Sequence, residues 1–249
     1  MPLAAAPRVV VIIQARMNSS RLPGKVLLPL PLNGTTTVLG HVVARAKTLA
    51  PSQWVVVATS TQTADDQLAA AALALGISVF RGDEQDVLGR FCGALAEHDA
   101  DVAVRITADN PAIDPAFMLA AVAHHLATQA DYTLTTGLPL GTNIEVISAT
   151  ALRRTQAEAT RPEEREHVTP YLRRHPELFH LETLPLAVGP EVAAMRLTLD
   201  YPSDYALLHI LFSQLPADFS LTNAAGLPAL LARFPWLGNI NNQNTQVQP

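Results

Sequence analysis

The chain has 249 residues, 49% of them hydrophobic, and a formal charge of −5. That length can bury one sizeable core, and the mildly acidic balance excludes general attraction to DNA or membrane surfaces, so an anionic ligand has to be met locally. The single cysteine, Cys92, excludes an intrachain disulfide framework and a cysteine-cluster zinc site.

The opening "MPLAAAPRVVVIIQAR" has no basic segment ahead of its apolar part, which Pro7 and Arg8 interrupt. It reads as neither signal peptide nor membrane anchor, since no uncharged apolar run approaches about 18 residues. The expected compartment is the cytoplasm. Short apolar runs at 9–13, 54–58, 78–80, 102–106 and 132–135 read as strands. Between them Val38, Leu39, Val42, Val43, Ala46 and Leu49 share one helical face, as do Val87, Leu88, Phe91 and Leu95. The alanine-rich segment from Ala64 has Asp65 and Asp66 in its first turn and Gly76 after its last, and Asp114-Pro115 reads as N-cap and first helical residue. Strand and helix alternating in this way predict a parallel sheet covered on both faces.

The second half is less regular. A strand is expected over 143–147, helices over 149–159 and 163–175, strand-like runs at 179–186 and 195–199, and helices over 202–212 and 223–234. The polar stretch 238–249 reads as a frayed tail. No repeat or linker divides 1–237, so one domain is expected. His124 and His125 lack metal-ligand spacing and are expected on a helix surface, and Cys92 beside Phe91 reads as core rather than nucleophile.

Three stretches carry chemistry. In "QARMNSSRLPGKV" a strand runs into a loop with Arg16, Arg21 and Lys25 and no acid. Ligands of open α/β sheets sit beyond the carboxyl ends of strands, so these cations could meet a polyphosphate; the competing reading is a solvated surface loop. The stretch is not a Walker A loop, which would need glycine at Ser19 and a hydroxyl residue at Val26, and no G-x-G-x-x-G is present. In "VRITADNPAID" a strand ends at Asp109, which either holds Mg²⁺ or merely forms a turn. In "RLTLDYPSDYALL" Asp200 is a second strand-end carboxylate or an ordinary helix start. Metal ligands and cations together are what phosphoryl transfer requires.

The stretch "IIQARMNSSRLPGKVL" resembles the A-R-x-x-S-x-R-L-P-x-K signature of the CMP-sugar synthetases. It is more similar to their relatives named for spore coat polysaccharide biosynthesis protein F, with further likeness at "GDEQDVLGRF", "RITADNPAID", "GTNIEVIS", "EREHVTPYL" and "RLTLDYPSDY". The resemblance spans about residues 8–212. It implies a three-layer α/β/α nucleotide-diphospho-sugar transferase (Rossmann-like) fold with a mostly parallel sheet. It also implies Mg²⁺-dependent transfer of CMP from CTP to an acidic sugar or related anionic acceptor in surface polysaccharide synthesis, and possible homodimers.

Residue by residue, the resemblance assigns Arg16, Arg21 and Lys25 to the triphosphate, and Asp109 and Asp200 to the metal. Gln14, Ala15, Ser19, Arg105 and Thr107 fall in nucleotide-binding stretches, as do Gly82, Asp83 and Asp86 near nucleotide or metal. Asn110, Glu145, Arg165, Glu166 and His167 fall around the acceptor. Asn110 departs from the family, where cysteine is common, and Ala112 stands where a larger apolar residue is common. His167 reads either as a catalytic base or as a surface residue of a charged helix. Two other functions compete: a glycosyltransferase of related fold, which would usually show a D-x-D motif, and a nucleotide-binding scaffold without catalysis.

Overall fold

A computed structural model describes residues 6–245. The readings of 1–5 as lacking a leader and of 246–249 as frayed lie outside the described residues. Seven strands form one sheet: β1 (Val9–Gln14), β2 (Val55–Ser60), β3 (Ser78–Gly82), β4 (Val102–Thr107), β5 (Tyr132–Thr136), β6 (Glu145–Ser148) and β7 (Leu181–Pro185). Their order is β3-β2-β1-β4-β6-β5-β7. The pairs β1/β2, β1/β4, β2/β3 and β5/β7 are parallel, whereas β6 runs antiparallel to both β4 and β5. Expected and observed strands agree in the first half because central parallel strands are buried on both faces and read as unbroken apolar runs.

The described helices are α1 (Val38–Leu49), α2 (Asp66–Ala74), α3 (Val87–Glu97), α4 (Pro115–Thr128), α5 (Ala149–Glu158), α6 (Pro162–His167), α7 (Pro170–Arg174), α8 (Pro190–Ala193), α9 (Pro202–Gln214) and α10 (Leu227–Arg233). Alternate strand residues point to opposite faces. Val11, Ile13, Val55 and Val57 pack with α1, α2, α4, α9 and α10, while Val10, Ile12, Val56 and Ala58 pack with α3, α5 and α7. The result is three layers, as expected.

Four expectations need correction. The run 195–199 does not enter the sheet, because its backbone bonds go to a loop: Leu140 N donates to the Met195 carbonyl at 3.0 Å and Leu197 N to the Leu140 carbonyl at 2.8 Å. The helix expected over 163–175 breaks between α6 and α7 at Val168, which has φ 70° and ψ −53°. Thr169 N bonds back to the His167 carbonyl at 2.8 Å, a γ-turn of the strained hand. His125 is buried rather than exposed, with Nδ1 3.0 Å from Thr133 Oγ1. Residues 238–245 are not frayed: Asn241 is buried and bonds to Asp204 and to the Arg196 carbonyl. Cys92 is buried in the α3 layer as expected, and burial pushes its thiol up to about 12. No described helix is long and apolar enough to cross a membrane.

Candidate active site

The carboxyl ends of β1 and β4 are neighbours, while β1 also pairs with β2 on its other side. Loops leaving this point diverge and open a crevice. Residues 15–24 form its rim. Their backbone is anchored by Asp65, whose Oδ1 accepts from Met17 N at 2.7 Å and whose Oδ2 accepts from Thr59 Oγ1 and Ser60 N. Burial raises the Asp65 carboxyl, but hydrogen bonds from Ser60, Met17 and Thr59 outweigh it and hold the group below its usual range. In the sequence Asp65 reads only as a first-turn acid. Its second role depends on a contact 48 residues away.

At the foot of the rim Gly24, at φ 68°, turns the chain so that Lys25 enters the crevice. Lys25 Nζ lies 2.6 Å from Asp109 Oδ2 and 2.9 Å from Asp200 Oδ1. Arg21 also reaches Asp200 Oδ1 at 3.0 Å, and Arg196 reaches Asp200 Oδ2 at 2.6 Å. Burial raises the Asp200 carboxyl, and Lys25 with Arg21 more than offsets this, so it stays ionised well below the usual range. Lys25 is the converse case: burial lowers its affinity for a proton, and Asp109 and Asp200 together raise it further. Asp109 Oδ1 accepts from Thr107 Oγ1 at 2.6 Å.

A cavity of about 260 Å³ brings together Gln14, Ala15, Arg16, Ser19, Arg21, Lys25, Thr107, Asp109, Glu166, His167 and Asp200. Asp83 and Arg165 line an adjoining space that shares Arg16 and Glu166 with it. Arg165 pairs there with Asp86. Arg105 and Glu145 lie beneath, paired with each other across β4 and β6, and Arg105 also donates to Gln14 Oε1 at 3.0 Å. Burial raises the Glu145 carboxyl, and the Arg105 charge together with hydrogen bonds from Tyr132, Arg105 and Thr169 outweighs it and holds the group below its usual range. Asn110 sits behind Asp109, donating to Thr107 Oγ1 at 2.8 Å, with its own carbonyl oxygen buried and unpartnered. Arg90, a charged residue within the buried arc of α3, also lines the cavity. Sequence reasoning passed over it, although an arginine among Val87, Leu88 and Phe91 is itself the signal.

The donor set fits a divalent cation. Two hard carboxylate oxygens converge within hydrogen-bond reach of a single ammonium, and among the described residues no group of three or more His, Cys, Asp or Glu makes a closed cage. Mg²⁺ sites built from one or two carboxylates draw their remaining ligands from substrate phosphates and water.

The family model for cytidylyltransferases matches residues 10–220. This chain belongs to the cytidylyltransferase family. Like other members it is a nucleotidyltransferase. Within the family it is similar to the spore coat polysaccharide biosynthesis protein SpsF of Bacillus subtilis, at 36% identity over 91% of this chain and 95% of that protein. A solved cytidylyltransferase from Leptospira borgpetersenii superimposes with a TM-score of 0.85 at 31% identity, covering 98% of this chain and all of that one. A CMP-2-keto-3-deoxy-manno-octonic acid synthetase solved with CTP shares the cytidylyltransferase fold at a TM-score of 0.63 and 20% identity, over 83% of this chain and 99% of that one.

Proposed function

We propose that this cytidylyltransferase transfers CMP from CTP to a hydroxyl of an anionic, sugar-like acceptor, releasing pyrophosphate, in the synthesis of a surface polysaccharide. The observation that carries this reading is the Lys25 ammonium held between Asp109 and Asp200 at the foot of a loop bearing Arg16 and Arg21. The similarity to SpsF and the CTP held by the octonic acid synthetase support the substrate classes.

Asp109 and Asp200 are the residues that would hold Mg²⁺, which when bound supplies positive charge to the phosphate oxygens. The acceptor hydroxyl attacks the α-phosphorus, and the bond to the β-phosphate oxygen breaks as pyrophosphate leaves. Arg16, Arg21 and Lys25 stabilise charge growing on the β- and γ-phosphates. Lys25 answers to both partners: it neutralises the two aspartates in the free enzyme and is within reach of phosphate once they are otherwise engaged. Gln14 and Arg105 brace the start of the loop through Glu145, which also accepts from Thr169 at 2.9 Å. Glu166, 3.9 Å from Arg16, and His167 also line the cavity, and the family resemblance supports a role for them toward the acceptor.

A pyrophosphate-release screen of four nucleoside triphosphates against acidic sugars tests the proposal. CTP-specific, Mg²⁺-dependent release with one acceptor class is the expected result; release from no pair would refute it. A glycosyltransferase reading is disfavoured because Asp99 and Asp101, the D-x-D of the chain, pair with Arg8 ahead of β4, at the edge away from the cavity.

A further inference from the structure

Asn110, Thr107 and Asp109 form a short, directed chain of hydrogen bonds. Asn110 Nδ2 lies 2.8 Å from Thr107 Oγ1, which lies 2.6 Å from Asp109 Oδ1. A threonine hydroxyl has one proton to give and two lone pairs with which to receive. Asp109, ion-paired with Lys25, is a carboxylate that only accepts, so the Thr107 proton lies toward Oδ1. At its other contact the hydroxyl can then only receive. That decides the orientation of the Asn110 amide: its NH2 faces Thr107 and its carbonyl oxygen faces away.

The carbonyl oxygen gains nothing by this. Asn110 Oδ1 is buried and has no hydrogen-bond donor among the described residues, and a buried acceptor without a donor is destabilising. Gly141, at φ 94°, closes over it, since a Cβ there would come within 2.9 Å of Oδ1 and 2.7 Å of Thr198. The turn at the end of β4 holds the asparagine in place, with Asn110 N donating to the Thr107 carbonyl at 3.2 Å. A small apolar residue would sit here without an orphaned oxygen. What the amide supplies in return is the direction of one hydroxyl.

We propose that Asn110 is a positioning residue, which holds the Thr107 hydroxyl on Asp109 Oδ1 and so leaves Oδ2 as the oxygen presented to a cation shared with Asp200. This rests on the proposed metal role of the two aspartates. Lys25 Nζ marks the shared point, 2.6 Å from Asp109 Oδ2 and 2.9 Å from Asp200 Oδ1. Without the amide the hydroxyl turns freely, and Asp109 loses the partner that fixes its rotation. Outer partners of metal-binding carboxylates act on affinity in this way. Thr107 and Asp109 line the cavity and Asn110 lies behind them, so its effect runs through the cation rather than through contact with the acceptor.

The test compares Asn110→Ala, Thr107→Val, Thr107→Ser and the double variant Thr107→Val/Asn110→Ala with the unmodified chain. Mn²⁺ binding, read by EPR as loss of the free-ion signal, is measured beside urea unfolding. Asn110→Ala and Thr107→Val should each weaken Mn²⁺ about 10- to 100-fold, the range for outer partners of metal ligands. The double variant should bind no more weakly than Thr107→Val alone, because the asparagine acts only through that hydroxyl. Thr107→Ser keeps the hydroxyl and should recover most of the affinity lost in Thr107→Val. The urea midpoint of Asn110→Ala should fall little, since the substitution also removes the orphaned oxygen. Unchanged Mn²⁺ affinity in Asn110→Ala, or a full further loss in the double variant, would overturn the assignment. A lowered midpoint with unchanged affinity would show a structural role only. Asn110→Ser, too short to reach Thr107, decides the matter if Asn110→Ala does not fold. Absence of Mn²⁺ binding by the unmodified chain, with or without CTP, would instead defeat the metal role of Asp109 and Asp200, and this inference with it.

Discussion

The side-chain amide of Asn241 donates to Asp204 Oδ1 at 2.8 Å, tying the end of the chain to the start of α9. Asp204 is fully buried and also accepts from Arg196 Nε at 3.0 Å and Asn244 Nδ2 at 2.8 Å. Its other oxygen accepts from the backbone of Asp200 and Tyr201, both at 2.9 Å. Arg196 in turn grips Asp200, so the asparagines act on the site through two intermediaries. Asn241→Ala leaves that buried carboxylate one donor short and should cost about 1–3 kcal/mol of stability. Urea unfolding reads the cost directly. Removal of residues 240–249 should destabilise more than Asn241→Ala alone; equal stability of all three chains would show that the anchoring is idle.

Lys25 and Asp109 should be separable from the fold. Lys25→Ala or Asp109→Asn is expected to lower pyrophosphate release from CTP by about 100-fold or more, the scale on which a single preorganised charge contributes. Circular dichroism should remain that of the unmodified chain. Near-normal turnover by either variant removes the residue from the chemistry.

Val168 is 1% exposed and holds a positive φ that β-branched residues avoid. Strain of this kind amounts to about 1–3 kcal/mol. Glycine should therefore tolerate the position at least as well as alanine, even though it buries less surface. A Val168→Ala midpoint in urea below that of Val168→Gly is the expected order. The turn also sets His167 at the cavity wall and Thr169 on Glu145, so both variants should raise KM for the acceptor more than for CTP.

His125 supplies a pH dependence. Burial, with the Asp131 charge only partly opposing it, pushes the imidazole down to about 4. The folded protein refuses a proton that the unfolded chain accepts below about 6.5. Stability from this source is therefore complete above about 6.5 and is lost as pH falls toward 4, at up to about 1.4 kcal/mol per pH unit. Urea midpoints measured between pH 7 and 4 should fall less steeply in His125→Gln than in the unmodified chain. Identical slopes would show that the group does not titrate in this window.

The central strands and the cationic loop were legible in the residues because their causes are local. Val9–Gln14 is apolar along its whole length since both faces are covered, and the strand-then-loop order alone places Arg16, Arg21 and Lys25 beyond a carboxyl end. The run 195–199 misled for the complementary reason. Apolar, extended backbone looks the same whether its partner is a strand or the loop at Leu140. His125 was misplaced because its partner Thr133 lies on a strand that helical periodicity does not see.

By itself, then, the sequence determined the alternating architecture, the family resemblance and the two kinds of charge a triphosphate site needs. Only the tertiary structure decided that Lys25 lies between Asp109 and Asp200, that Asn241 braces Asp204, and that Arg90 is buried beside the cavity with its Nη1 on the Asp83 and Glu84 carbonyls. The pairs in the first two cases stand 84, 175 and 37 residues apart, and polar groups so separated are joined only when burial of the sheet's two faces brings their segments together.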